Sequence, residues 1–150
     1  MAPNWAGITP YPVGEYQSAD GDGLCYRGVD NDERRFVLIK EYFPVTLCNG
    51  RSPDGDLMPK EGREVLFKTS RMDFKDLYDD LHRITPATGL SQILDVMEEN
   101  NTVYAVEETE KGMTLTHYLK LRARTLTPVE ARTLLQPEME GVALQHKAGL

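Results

Sequence analysis

The sequence predicts an α+β fold, with a five-stranded antiparallel sheet, one helix packed on it, and two helices after it. The clearest strand lies over 35–43, where β-branched and aromatic residues crowd together and Pro44 ends the run. Apolar residues recur at helical spacing over 74–84. A capping box with proline at the first helical position, at 127–130, opens a final helix. Strands on both sides of one helix, followed by further helices, are typical of α+β proteins.

Turn-rich segments separate the other elements. Segment 48–63 is rich in Gly and Pro and is predicted to be a long loop. Pro137 is a predicted kink in the final helix, which extends toward Ala148. The remaining elements are two strands within 15–29 joined across the turn 19–23, two strands at 92–97 and 102–106 joined by the polar turn 98–101, and a short helix over 115–121.

Composition excludes several classes of protein. The 150 residues include 24 acidic and 17 basic ones, a net charge of −7, which argues against nucleic-acid binding. No run approaches the roughly 18 apolar residues of a membrane helix. The first residues resemble no secretory signal, and two cysteines, with three scattered histidines, are too few for a disulfide scaffold or a metal cluster. We therefore expect a reduced, soluble, cytoplasmic protein that holds no metal.

Three ordered segments carry a resemblance to a known family. FVLIKEYFP resembles the third strand of the small lobe of bacterial serine/threonine protein kinases. LDVMEENNTVYAVEETEKGMTLTHYL is similar to the fourth and fifth strands, hinge and next helix of that family, and LTPVEARTLLQPEMEGVALQHKAGL is similar to the helix before its catalytic loop. The resemblance implies an irregular lead-in over 1–13, a kinase-like small lobe and hinge over 14–112, and the first helices of a large lobe over 113–150.

The glycine-rich loop of the family is depleted in this chain. Its three glycine positions fall on Ser18, Asp20 and Gly23, with Gly21 as an additional glycine. Glycine lets the backbone approach phosphates closely, and carboxylates at Asp20 and Asp22 would repel a triphosphate. An ordinary hairpin turn is the alternative interpretation of this segment.

The lysine that binds phosphates in the family corresponds to Lys40. The helix glutamate that orients this lysine in the family has no counterpart in this chain. Aligning Phe74 with the phenylalanine of the helix motif places Leu77 where the glutamate belongs. A slip of one residue would place Asp76 there instead. The resemblance therefore implies a retained lysine without its usual carboxylate partner.

The adenine side of the pocket also departs from the family pattern. Leu38 replaces the usual alanine and points toward the space of the base, with Cys25 as the other half of the ceiling. Glu107 falls at the gatekeeper position, where a buried carboxylate needs a partner, and Lys40 is the predicted one. The resemblance places Glu108 and Glu110 in the hinge.

The residues given stop where the family reads His-Arg-Asp, so they hold no catalytic aspartate and no metal-binding motif. We expect this chain as it stands to be catalytically inactive, a pseudokinase-type scaffold or regulatory module without a cofactor. The alternative is the N-terminal part of an ATP-dependent serine/threonine kinase whose catalytic loop lies beyond Leu150, and only then are ATP and magnesium expected.

A protein partner is expected at one of two surfaces. The apolar face of the last helix needs cover, which a partner or a second copy of the chain would provide. The acidic stretch 98–111 is either a solvated surface or a docking face for a basic partner.

Overall fold

The computed structural model describes residues 11–84, 89–109, 112–122 and 124–150. Within these residues the chain forms seven strands and three helices. They are β1 (Val13–Asp20), β2 (Gly23–Asp30), β3 (Arg35–Tyr42), β4 (Cys48–Arg51), β5 (Leu57–Pro59), α1 (Glu64–Ile84), β6 (Ile93–Glu99), β7 (Thr102–Glu108), α2 (Leu115–Arg122) and α3 (Pro128–Lys147).

The main sheet has five antiparallel strands in the order β1-β2-β3-β7-β6, and α1 packs on it. The predicted α+β class is confirmed. Two tight turns behave as their residues predict. Gly21 takes a φ of 55° between β1 and β2, and Asn100 and Asn101 take φ of 52° and 54° between β6 and β7. Glycine and asparagine tolerate this left-handed backbone, which two-residue hairpin loops require.

The long loop predicted at 48–63 was wrong in part, because it contains the two-stranded sheet of β4 and β5. These strands have only four and three residues, too short for an alternating pattern to appear in the sequence. Side chains and backbone from the neighbouring turn hold them in place. Asn101 Nδ2 donates to the Leu57 carbonyl at 2.7 Å, and Leu57 N–H donates to the Asn100 carbonyl at 2.8 Å.

Helix α1 is also longer than its apolar stripe predicted, beginning at Glu64 rather than near Phe74. Its first half packs through few residues. Phe67 is buried against Tyr42, with ring centroids 5.7 Å apart, and Phe74 contacts the same tyrosine at 5.5 Å. One anchoring side chain in ten residues leaves no periodic stripe to detect, so the sequence predicted only the second half.

The two faces of the sheet bury different clusters. Val37 and Ile39 of β3 lie on one face with Tyr26 of β2 and Tyr104 of β7. The second cluster joins the end of β3 to α1 and to the β4–β5 hairpin through Tyr42, Cys48, Leu57 and Phe67. Because successive strand residues point to opposite faces, β3 contributes to both clusters.

A buried carboxylate ties the β4–β5 hairpin to the sheet. Glu41 is fully buried and accepts hydrogen bonds from the Arg51 guanidinium at 2.5 and 2.6 Å. The hydroxyls of Tyr26 and Tyr104 donate to the same carboxylate at 3.0 and 3.1 Å. Arg51 also donates to the Gly55 carbonyl at 3.3 Å. The four hydrogen bonds that Glu41 accepts and the one that Arg51 donates to Gly55 compensate the desolvation of this ion pair.

Helix α3 begins with the predicted capping box and continues through Pro137. Glu130 accepts from the Thr127 N–H and also from Arg122 and Arg124, at 2.7 to 2.9 Å. The Arg124 hydrogen bond, with those from Thr127 and Arg122, holds the pKa of Glu130 far below its usual range. These contacts fix the junction between α2 and α3. None of the helices in the described ranges is both long and apolar enough to cross a membrane.

We predict that Arg51→Met destabilises the fold by about 3 to 5 kcal/mol, because it leaves the Glu41 carboxylate buried without its cation. Urea unfolding measures the loss. Arg27→Met removes an exposed arginine from the neighbouring strand and should change stability by less than about 0.5 kcal/mol. A loss below about 1 kcal/mol for Arg51→Met would show that the ion pair is not an essential tie.

Candidate functional site

The β1–β2 hairpin takes the place of the glycine-rich loop. Its loop has two residues, Gly21 and Asp22, between the paired ends Asp20 and Gly23. The Asp22 carbonyl accepts a hydrogen bond from the Phe43 N–H at 2.6 Å, which ties the turn to the end of β3. This geometry agrees with the interpretation of the segment as a tight hairpin turn.

Lys40 of β3 lies beside this hairpin and is already paired. Its ammonium lies 2.9 Å from Glu107 Oε1 on the adjacent strand β7, as the sequence predicted. The lysine side chain is 39% exposed and the glutamate side chain 10%. The phenol of Tyr78 on α1 also interacts with the Lys40 ammonium. Lys40 thus has a carboxylate and a phenol of the protein as its neighbours.

The residue that α1 presents to Lys40 is Tyr78, which corrects the alignment that gave this place to Leu77. Leu77 is 43% exposed, and Asp76 is exposed as well. The aligned phenylalanine, Phe74, contacts the ring of Tyr78 in a tilted arrangement, with ring centroids 4.6 Å apart. Successive helical positions differ by about 100°, so a register error of one residue moves a side chain off the contact face. No carboxylate of α1 takes the role of the missing glutamate at Lys40 in the described structure.

The ionisation of these groups follows from their contacts. Burial alone would lower the pKa of Lys40, but the hydrogen bond and charge of Glu107 outweigh it and raise this pKa above its usual value. Burial raises the pKa of Tyr78, with Lys40 opposing. Burial also raises the pKa of the Cys25 thiol, against the charge of Lys40. At neutral pH the site therefore holds a charged lysine, a neutral phenol and a neutral thiol.

Leu38 and Cys25 lie where the sequence placed them, on the face of the sheet that carries Lys40. Cys25 is the cross-strand partner of Lys40, and Leu38 is the partner of Glu107. Both side chains are half-buried. Whether Leu38 excludes an adenine ring stays a prediction.

The hinge is fixed by an ion-pair network that the sequence did not predict. Arg35 lies 3.3 Å from Glu108 and 3.3 Å from Asp30. The Glu108 N–H donates to the Gln92 carbonyl at 2.9 Å. Glu110, the other predicted hinge residue, lies outside the described residues.

A cavity of about 170 Å³ opens between the hairpin and α1. This volume is below the roughly 300–1,000 Å³ of most small-molecule sites. Leu38 and Glu107 do not line it. Its lining residues are Asp20, Asp22, Gly23, Leu24, Cys25, Lys40, Phe74 and Tyr78.

The residues that the structure describes contain no group of three or more His, Cys, Asp or Glu side chains placed to hold a metal ion.

Neither a protein-family model nor a curated protein matches the sequence. Among solved structures, the chain is similar to the apo form of PpkA-294, a fragment of a bacterial serine/threonine kinase, with a TM-score of 0.67 and 26% sequence identity. The match covers 80% of this chain but only 42% of PpkA-294. The fold is therefore protein-kinase-like, and its five-stranded sheet with α1 corresponds to a kinase small lobe.

We predict that Glu107→Gln lowers the pKa of Lys40 below that of a free lysine, because burial then acts without the opposing carboxylate. Side-chain NMR titration of the lysines measures it. In the unaltered protein the pKa of Lys40 is raised, so its ion pair with Glu107 stabilises the fold below the ordinary pKa of lysine. This stabilisation is lost as the pH rises through the folded-state pKa of Lys40.

Tyr78→Phe is the companion variant, since it removes the hydroxyl that interacts with Lys40 and keeps the Glu107 charge. Its effect on the Lys40 pKa should be smaller than that of Glu107→Gln. An unchanged pKa of Lys40 in Glu107→Gln would contradict the assignment of the ion pair.

Proposed function

We propose that this protein-kinase-like domain is a binding or regulatory module that does not use ATP. The observation that carries the proposal is the pairing of Lys40 with Glu107 and Tyr78. A kinase needs this lysine on the nucleotide phosphates and a helix carboxylate to orient it. Here the carboxylate comes from β7 and the helix supplies a phenol, so the charge of the ammonium is already compensated within the protein.

The charges around Lys40 support the same proposal. Asp20 and Asp22 line the cavity, and no ion pair is found for either within the described ranges. With Lys40 compensated by Glu107, a triphosphate entering here meets an excess of negative charge. Because like charges repel, this excess disfavours binding of a triphosphate.

Calorimetric titration with ATP, with and without magnesium, tests this proposal. We expect no saturable heat up to about millimolar nucleotide, a range that corresponds to roughly 4 kcal/mol of binding free energy. Glu107→Thr removes the competing carboxylate and is the matched variant, with Glu99→Thr, at an exposed position on β6, as its control. Micromolar binding to the unaltered chain that Lys40→Ala abolishes would contradict the proposal.

A second candidate is the N-terminal part of an ATP-dependent serine/threonine kinase. Two observations favour it: Lys40 keeps its place on β3, and the solved kinase fragment that this chain matches is more than twice the length of the matched region. This candidate predicts His-Arg-Asp, with an asparagine five positions after the aspartate, in residues that follow Leu150. Reading the gene beyond that codon decides between the two candidates.

The partner of the module is proposed to be a protein. Support comes from α3, whose Leu135, Met139 and Val142 line one exposed apolar groove. Contiguous exposed apolar surface is typical of interaction sites. Either a second copy of this chain or a different protein would cover that surface.

A further inference from the structure

The cavity between the β1–β2 hairpin and α1 has a lining that suits a cation. Phe74 and Tyr78 form one wall, with ring centroids 4.6 Å apart and ring planes tilted by 41°. Asp20 and Asp22 line the opposite, hairpin side. Aromatic rings attract cations through their quadrupole, and carboxylates attract them directly. Here both groups line one small space.

The balance of charge in the cavity is negative although a lysine lines it. Glu107 lies 2.9 Å from the Lys40 ammonium and compensates its charge. The carboxylates of Asp20 and Asp22 have no such compensation in the described structure, so two negative charges remain. A cation entering the cavity therefore gains more from the hairpin than it loses to Lys40.

The hairpin is also held in position before any ligand arrives. The Asp22 carbonyl accepts the Phe43 N–H at 2.6 Å, which fixes the turn to β3. The paired ends Asp20 and Gly23 continue the ladder up to the two-residue loop. A fixed turn loses little conformational entropy when its carboxylates are engaged, which favours binding.

Size restricts the ligand to one side chain. Each water molecule takes about 30 Å³ in the liquid, so 170 Å³ has room for about five or six waters, comparable to one long side chain. A guanidinium is planar, stacks on aromatic rings and binds carboxylates through two parallel hydrogen bonds. The more strongly hydrated lysine ammonium offers neither stacking nor that fork.

We infer that this cavity receives an arginine side chain from a protein partner. The module would then bind a basic segment at the place where a kinase binds phosphates. The inference rests on the proposed function, since it requires that no nucleotide occupies the site. It assigns the recognition to Asp20, Asp22, Phe74 and Tyr78.

Titration with N-acetyl-L-arginine N-methylamide, followed by amide NMR shifts of the ¹⁵N-labelled chain, tests the inference. The neutral citrulline analogue has the same shape without the charge and is the matched ligand. We expect saturable shifts at Asp20–Cys25 and Tyr78, in about the millimolar range for one side chain. The citrulline analogue should bind at least about tenfold more weakly.

Two double variants test whether binding depends on the hairpin carboxylates or on the negative charge of the protein in general. Asp20→Asn with Asp22→Asn should weaken the arginine analogue about tenfold or more. Asp32→Asn with Glu33→Gln removes two exposed carboxylates from the β2–β3 turn and should leave the affinity within about twofold. The same spectra report whether each variant keeps its fold.

Equal shifts with the arginine and citrulline analogues, or no loss of affinity in the Asp20 and Asp22 double variant, would overturn the inference. If neither the arginine analogue nor ATP with magnesium produces saturable shifts, the inference fails and the proposed function stands. If ATP with magnesium saturates the same amides, both fail.

Discussion

The buried carboxylate of Glu41 is the constraint on which the rest of the structure depends. An ionised group without water is tolerated only when donors surround it, and here Arg51, Tyr26 and Tyr104 all donate to it. These donors come from β4, β2 and β7, so one carboxylate on β3 joins three other strands. The alternation of side chains along β3 then places the preceding residue, Lys40, on the opposite face, toward α1.

Fixing β3 in this way also fixes the state of the candidate site. Lys40 faces Glu107 across the β3–β7 ladder and Tyr78 across the helix contact. Each of the two neighbouring charges on β3 is therefore compensated inside the fold, one on each face of the sheet. The kinase-like architecture is preserved, and Lys40 on its third strand is paired with Glu107.

Strong local patterns made most of the fold predictable from the sequence. The apolar run of β3 and the capping box at Thr127 gave the correct elements. The β4–β5 hairpin was not predictable, because its order comes from distant contacts such as Arg51 with Glu41. In the site, the Lys40–Glu107 pair followed from chemistry, since a buried glutamate needs a cation. Tyr78 was missed because the alignment of α1 was one residue out of register. The signal in the sequence was the spacing of four residues between Phe74 and Tyr78, which brings their rings into contact on one helix face.

The central claim is that the Lys40 ammonium is held by protein groups and is not available to a nucleotide. A crystal structure of the chain grown with a saturating non-hydrolysable ATP analogue and magnesium tests it most directly. The account predicts that Lys40 stays within hydrogen-bond distance of Glu107 and Tyr78, with no nucleotide in the cavity. A structure with Lys40 on the phosphates and Glu107 turned away would contradict it.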